Sequence, residues 1–214
     1  MTKKTASAFP NAYVDVDEPP NNAPRVRILA LVGMISAAFL GSTTLVLNFL
    51  PTGYDPVRQM VSDYAVGAFA FEMQLAFFAG GLGVVALASA VAISDDRRVV
   101  KAGSALLFIA GVCLFAVGAF QTDVEGAAAT LHGTVHDILS QFVFVFGPIG
   151  MLLVSHANGS RWLWPTLASL AAAGAFFAAD AAFSLNAAGL AERIFILVLL
   201  VWWFTASYRL FRTA

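Results

Sequence analysis

Six apolar runs, each long enough to cross a bilayer, are separated along the chain by short polar connections. A spanning helix needs roughly 20 mostly apolar residues. The runs cover residues 28–50, 71–93, 102–120, 138–155, 162–185 and 189–208. Each is continuous and lacks the alternation of barrel strands, so the segments read as helices. Of the 214 residues, 59% are hydrophobic and 12% charged, which is too little polar surface for a soluble domain. The expected fold is all-α: a polytopic six-transmembrane-helix bundle. Residues 1–27 read as a disordered cytoplasmic tail, 28–210 as the membrane domain and 211–214 as a cytoplasmic end.

The distribution of charge orients this scheme. Ten of the 12 Lys and Arg residues fall on one side: Lys3, Lys4, Arg25, Arg27, Arg97, Arg98, Lys101, Arg161, Arg209 and Arg212. Only Arg58 and Arg193 fall on the other. The positive-inside rule then places both termini in the cytoplasm, in agreement with an even number of spans. The N-terminal tail has four prolines and no apolar core, so it does not read as a cleavable signal. The basic residues are scattered topology signals and form no nucleic-acid surface. The single Cys113 reads as a small core hydrophobe inside the third span.

Polar chemistry collects on the opposite, extracytoplasmic side. Eight of the 13 acids (Asp55, Asp63, Glu72, Asp123, Glu125, Asp137, Asp180 and Glu192) lie there, with His132 and His136. In the first outer loop, Asp55-Pro56 supplies an N-cap and a proline suited to a first helical turn. Val57, Met60, Val61 and Tyr64 then follow helical spacing. This predicts a short amphipathic helix on the outer membrane surface, either plugging the bundle or touching a ligand through Ser62 and Asp63. Within the spans, Gly80, Gly81 and Gly83 allow close helix approach, and Pro148 between Gly147 and Gly150 predicts a kink or weakening of the fourth span.

His132 and His136, four apart at the start of the fourth span, share one helical face and can meet one metal ion. Zinc or another divalent metal would need a further ligand, for which Asp123, Asp63 and Asp180 are candidates. The competing reading is that the histidines cap the helix and hydrogen-bond neighbouring acids. Asp180 lies in an otherwise apolar stretch, roughly 26 Å along the fifth helix from Leu163 at 1.5 Å per residue. A carboxylate at that depth needs a partner. Arg193, at the outer start of the sixth span, is the expected one, either as a structural pair or as part of a site.

The segments Ser62-Asp63-Tyr64, Thr122-Asp123, Leu131-His132-Gly133-Thr134-Val135-His136 and Gly189-Leu190-Ala191-Glu192-Arg193 resemble the bacterial membrane family catalogued as domain of unknown function 998. The resemblance runs from about Ile28 to Arg209. It implies six spans, a bacterial cytoplasmic membrane and these outer polar positions, with no established activity. Glu192 stands where the resemblance implies glutamine. Ser62, Asp63, His132 and His136 also echo the residue types of membrane hydrolases such as alkaline ceramidases and adiponectin receptors. The seven-span core, motif order and third outer histidine of those proteins are missing here.

The reading that follows is a membrane protein with an extracytoplasmic polar pocket made by Ser62, Asp63, Asp123, His132, His136, Asp180 and Arg193. It binds or moves a small ligand, an ion or a lipid headgroup, with membrane lipids as its surroundings. One alternative is a metal-dependent hydrolase acting on a lipid or headgroup, with metal on His132, His136 and Asp123. The other is a structural or accessory membrane subunit.

Overall fold

The computed structural model describes residues 22–51, 53–124, 126–183 and 185–214, Asp180 by its backbone alone. Among these residues there are six long helices and no strand: α1 (Ala23–Leu47), α2 (Ala70–Ser94), α3 (Arg98–Val117), α4 (Leu131–Ala157), α5 (Ser160–Phe183) and α6 (Ala188–Thr213). Each is long and apolar enough to cross a membrane. A short 3-10 helix, Val61–Ala65, lies between α1 and α2.

The helices run beyond several of the apolar runs that mark them. Pro24 in the first turn starts α1 at Ala23, because its fixed φ and missing N–H suit that position. Arg25 and Arg27 are therefore helical rather than part of a tail; residues 1–21 of the expected tail lie outside the described residues. Helix α4 begins seven residues before the expected span, at Leu131. Thr130 caps it by accepting from the amide of Gly133. Both His132 and His136 are thereby set on the first turns of the helix. Helix α4 continues through Pro148 to Ala157.

Helices α1 to α4 pack in chain order, and α6 returns to lie against α1. Helix α5 sits at the periphery between α4 and α6 and is the least buried, whereas α2 is the most buried. In lipid, helices associate through close packing because burial from water is already complete. Small residues supply that packing here. A Cβ on Gly81 would fall 2.3 Å from the Phe115 amide nitrogen, so α2 and α3 meet backbone to backbone. Gly103 and Gly150 serve α3 and α4 in the same way, and Gly83 receives Ser36 of α1 and Trp203 of α6. Large apolar side chains such as Phe39, Leu82, Ile149 and Leu197 point outward, as lipid-facing positions require.

At the end where α1 begins and α6 ends, the Arg97 guanidinium bonds both oxygens of Asp95 and reaches the Ala157 carbonyl, joining the α2–α3 and α4–α5 connections. These bonds hold the Asp95 carboxyl below the usual carboxylate range. Deeper in the bundle, Trp202 Nε1 donates to Ser155 Oγ (2.8 Å), which bonds Thr166 Oγ1 (3.0 Å). This chain ties α6, α4 and α5 and satisfies polar groups that lipid cannot. Arg209 stacks on Trp162, 4.6 Å from the ring centroid, anchoring α6 to the start of α5.

Candidate functional site

The opposite end carries the α1–α2, α3–α4 and α5–α6 connections, and the first of these folds inward as a lid. The expected amphipathic helix from Asp55 does not form. Asp55 Oδ1 accepts the Val57 amide and closes only a tight turn. The carbonyls of Val57 and Arg58, which a continuing helix would use, accept instead from the amides of Leu190 and Gly189 (2.9 and 3.1 Å). The chain thereby satisfies unpaired N–H groups of the first turn of α6 and spends its own helical acceptors doing so. The 3-10 turn follows, with Asp63 Oδ2 accepting the Met60 amide (2.8 Å) as its cap. Val61, Tyr64 and Ala65 are buried, so the segment plugs the bundle mouth rather than lying on its surface.

Further contacts hold the lid. Gly189 lies so close to the lid that a Cβ there would fall 2.1 Å from the Gln59 carbonyl oxygen. Glu192 Oε2 accepts the Val61 amide. The Arg193 Nη1 donates to the carbonyls of Gln59 (2.7 Å) and Gly189 (2.9 Å), and its Nε to Asn48 Oδ1 (3.1 Å). Tyr64 donates to the same Asn48 oxygen at 2.8 Å. Tyr54 packs edge-on to Tyr64 and donates to the Val66 carbonyl. Burial, and then the charge of Asp63, push the Tyr54 hydroxyl above its ordinary pKa.

Beneath the lid is a cavity of about 110 Å³, enclosed by α1, α2, α3, α4 and α6. Its upper end is lined by Thr44, Val61, Ser62, His136, Ser140 and Glu192, and its floor includes Leu107, Met151, Trp202 and Trp203. From Glu192 to Trp202 the helix rises roughly 15 Å at 1.5 Å per residue. Between those levels the wall is aliphatic and aromatic. The cavity wall is thus almost wholly apolar, with a few polar side chains gathered at its upper end. Helix α4 lines it with His136, Ser140, Val143, Phe144, Gly147 and Met151, one face at the i, i+4, i+7 spacing.

Ser62 and His136 both line the cavity, and His132 does not. His136 is 2% exposed, and its Nδ1 lies 2.7 Å from the Phe120 carbonyl oxygen. A carbonyl only accepts, so Nδ1 carries a proton, and Nε2 keeps a lone pair whenever the ring is neutral. His132 is exposed and stacks on the Phe120 ring at 5.5 Å. Asp123 closes the α3–α4 connection, accepting the amide and the hydroxyl of Thr130 (2.9 and 2.6 Å). Those bonds hold its carboxyl below the usual carboxylate range. Among the described residues no three His, Cys, Asp or Glu side chains are placed to hold a metal ion. The ligand set His132, His136 and Asp123 does not assemble, because the first stacks on Phe120, the second turns into the bundle and the third stitches its loop.

Arg193 is placed by α6 at the lid, where its bonds run to Asn48, Gln59 and Gly189. The side chain of Asp180, its expected partner, lies outside the described residues. Arg193 also lines a groove between α1 and α6 with Asn48, Leu197 and Phe204, which shares Thr44, Ile196 and Leu200 with the central cavity. Asn48 is a site residue that patterning alone does not single out, whereas Tyr64 belongs to the helical spacing of the first outer loop. A polar residue ending an apolar span is the one signal for Asn48. Glu192 reads in the sequence as one outer acid among eight; in the structure it is the carboxylate of the cavity.

The chain belongs to the family described as Protein of unknown function (DUF998), whose model matches residues 30–209. That match takes in the lid, the cavity lining, helices α2 to α5 and most of α1 and α6. No curated protein and no solved structure matches the chain.

Proposed function

We propose that this member of the family holds a small single-chain amphiphile in the bundle, entering from the extracytoplasmic face. The head lies among Ser62, His136 and Glu192, and the apolar body fills the shaft toward Trp202 and Trp203. The observation that carries this reading is the gathering of Ser62, His136, Ser140 and Glu192 at one end of a cavity whose wall is otherwise apolar. An enclosed apolar space accepts apolar atoms readily and water poorly, while the buried polar groups above it require hydrogen-bonding partners. The lid is a separate segment held on α6 by a few hydrogen bonds and one close glycine contact, so it is the natural entrance. The concentration of Lys and Arg at the other end supports an extracytoplasmic position for it.

The test uses Trp202 and Trp203 as reporters in a Trp162→Phe, Trp164→Phe background, with the protein in phosphatidylcholine nanodiscs. A short bromoalkanol reaching the cavity floor should quench their fluorescence saturably. Gly147→Met should remove the saturable part. A Cβ at Gly147 meets no atom within 4 Å, so the longer side chain fills the cavity rather than displacing a neighbour. Quenching that rises linearly and is the same in Gly147→Met would overturn the reading.

A further inference from the structure

The polar end of the cavity presents acceptors and the carboxyl of Glu192, with no ion pair to it among the described residues. Glu192 is 5% exposed. Its Oε2 takes the Val61 amide, and among the described residues its Oε1 accepts no hydrogen bond. The ion pairs among the described residues are Arg58–Asp55, Arg97–Asp95 and Lys101–Asp96, so no cationic side chain among them pairs with Glu192. Arg193 follows it directly in sequence and acts on it through space, but its guanidinium donates to Asn48, Gln59 and Gly189 and forms no ion pair with Glu192. The neighbouring groups do not substitute for a cation. His136 spends its N–H on Phe120, and Thr44 donates its hydroxyl to the Leu40 carbonyl. Thr44 keeps lone pairs, and the neutral His136 ring keeps one. Ser62 and Ser140 can accept as well as donate.

We propose that the cavity selects single-chain amphiphiles with a primary ammonium head, bound by Glu192 with Ser62 and His136 as further acceptors. The inference rests on the cavity-binding reading above. A buried carboxylate demands a cation or several donors. A primary ammonium brings both, with three N–H donors and no lone pair. A quaternary ammonium lacks the donors, and phosphate or carboxylate heads are repelled by Glu192. A cavity of about 110 Å³ enclosed by five helices and the lid is too small for a two-chain lipid.

The experiment compares a bromoalkylamine with a bromoalkanol and a bromoalkanoate of equal chain length, by quenching of Trp202 and Trp203 in the nanodiscs described above. Quenching that persists in Gly147→Met measures partition into the bilayer and is subtracted. The amine should half-saturate at a concentration roughly tenfold or more below the alkanol, the increment of a charge-assisted hydrogen bond over a neutral one. The alkanoate should bind more weakly than either. Glu192→Gln keeps an oxygen for the Val61 amide and loses the charge, so it should bring the amine to the alkanol's level. Equal half-saturation of amine and alkanol in the unsubstituted chain would overturn the ammonium assignment and leave the cavity reading standing. No saturable quenching by any probe would overturn both. A second measurement does not depend on the variant folding: the amine should raise the melting temperature of the wild-type protein more than the alkanol does, and an equal rise counts against the proposal.

Discussion

The guanidinium of Arg193 lies over the ring of Tyr64, 5.5 Å from its centroid, and both side chains donate to Oδ1 of Asn48. One acceptor at the end of α1 thus orders a lid residue and an α6 residue together. Asn48→Leu removes it from two buried donors, and leaving buried donors unsatisfied should destabilise the protein by about 1–3 kcal/mol. Tyr64→Phe deletes a donor along with its need for a partner and should cost about 1 kcal/mol. The two changes share one hydrogen-bond cluster, so the double variant should lose less than the sum. Thermal unfolding of the four proteins in one detergent checks this, and strictly additive losses would show that the cluster does not act as a unit.

Gly189 is the point where the lid backbone touches α6. A methyl group there would meet the Gln59 oxygen at 2.1 Å and its carbonyl carbon at 2.7 Å, and backbone atoms cannot step aside as a flexible side chain can. Gly189→Ala should therefore push the lid from its seat, at the typical overpacking cost of about 1–3 kcal/mol. In a Cys113→Ala background, a cysteine at Ser62 should react slowly with a maleimide when the lid is seated and faster when Gly189→Ala is added. Equal labelling rates would mean that the lid does not depend on this contact.

Asp123 carries the pH dependence of the α3–α4 connection. Its hydrogen bonds from Thr130 favour the charged form, and its carboxyl is held below the ordinary range. A carboxyl depressed in the folded state stabilises the protein at pH values above its unfolded pKa, about 3.9 for Asp, and the contribution fades as pH falls through the folded value. Wild type should be more stable than Asp123→Ala near neutrality, and the gap should close as the pH drops below about 4. A gap that stays constant across that range would show that the ionised form is not what matters. Gly133→Ala probes the same contact from the other side, since its Cβ would fall 2.1 Å from Asp123 Oδ2. It should reduce stability at neutral pH in the wild-type background and less when Asp123 is already Ala.

The six helices were legible because bilayer thickness imposes a length and apolarity that composition cannot hide. The glycine contacts followed for the same reason: Gly81 and Gly83 read as points of close approach, and they are. The site was legible only in part. His132 and His136 share a helical face by spacing, yet Phe120 separates their roles, offering its carbonyl to one and its ring to the other. That depends on where α3 ends, which periodicity places only within a few residues. The first loop carries a helical pattern, but its carbonyls are claimed by α6 amides more than 130 residues away. No local rule anticipates that competition. Glu192 looked like one more acid at the membrane edge, and its burial follows from the lid covering it.

The last prediction concerns the orientation on which the entry route depends. Eight of the ten described Lys and Arg residues lie at the end where α1 begins and α6 ends, and the positive-inside rule predicts that this end faces the cytoplasm. Single cysteines at Val57 in the lid, Val124 in the α3–α4 connection and Asn158 between α4 and α5, each exposed, report the two faces in a Cys113→Ala background. A membrane-impermeant maleimide added to intact cells should label Val57→Cys and Val124→Cys and spare Asn158→Cys until the cells are opened. Inverted vesicles should give the reverse pattern, which guards against a site that is merely unreactive. The two loop positions rest on different helix pairs, so their agreement also tests the six-crossing count between them. Labelling of Asn158→Cys in intact cells, with protection of the other two, would turn the lid toward the cytoplasm and make any ligand of the cavity an intracellular one.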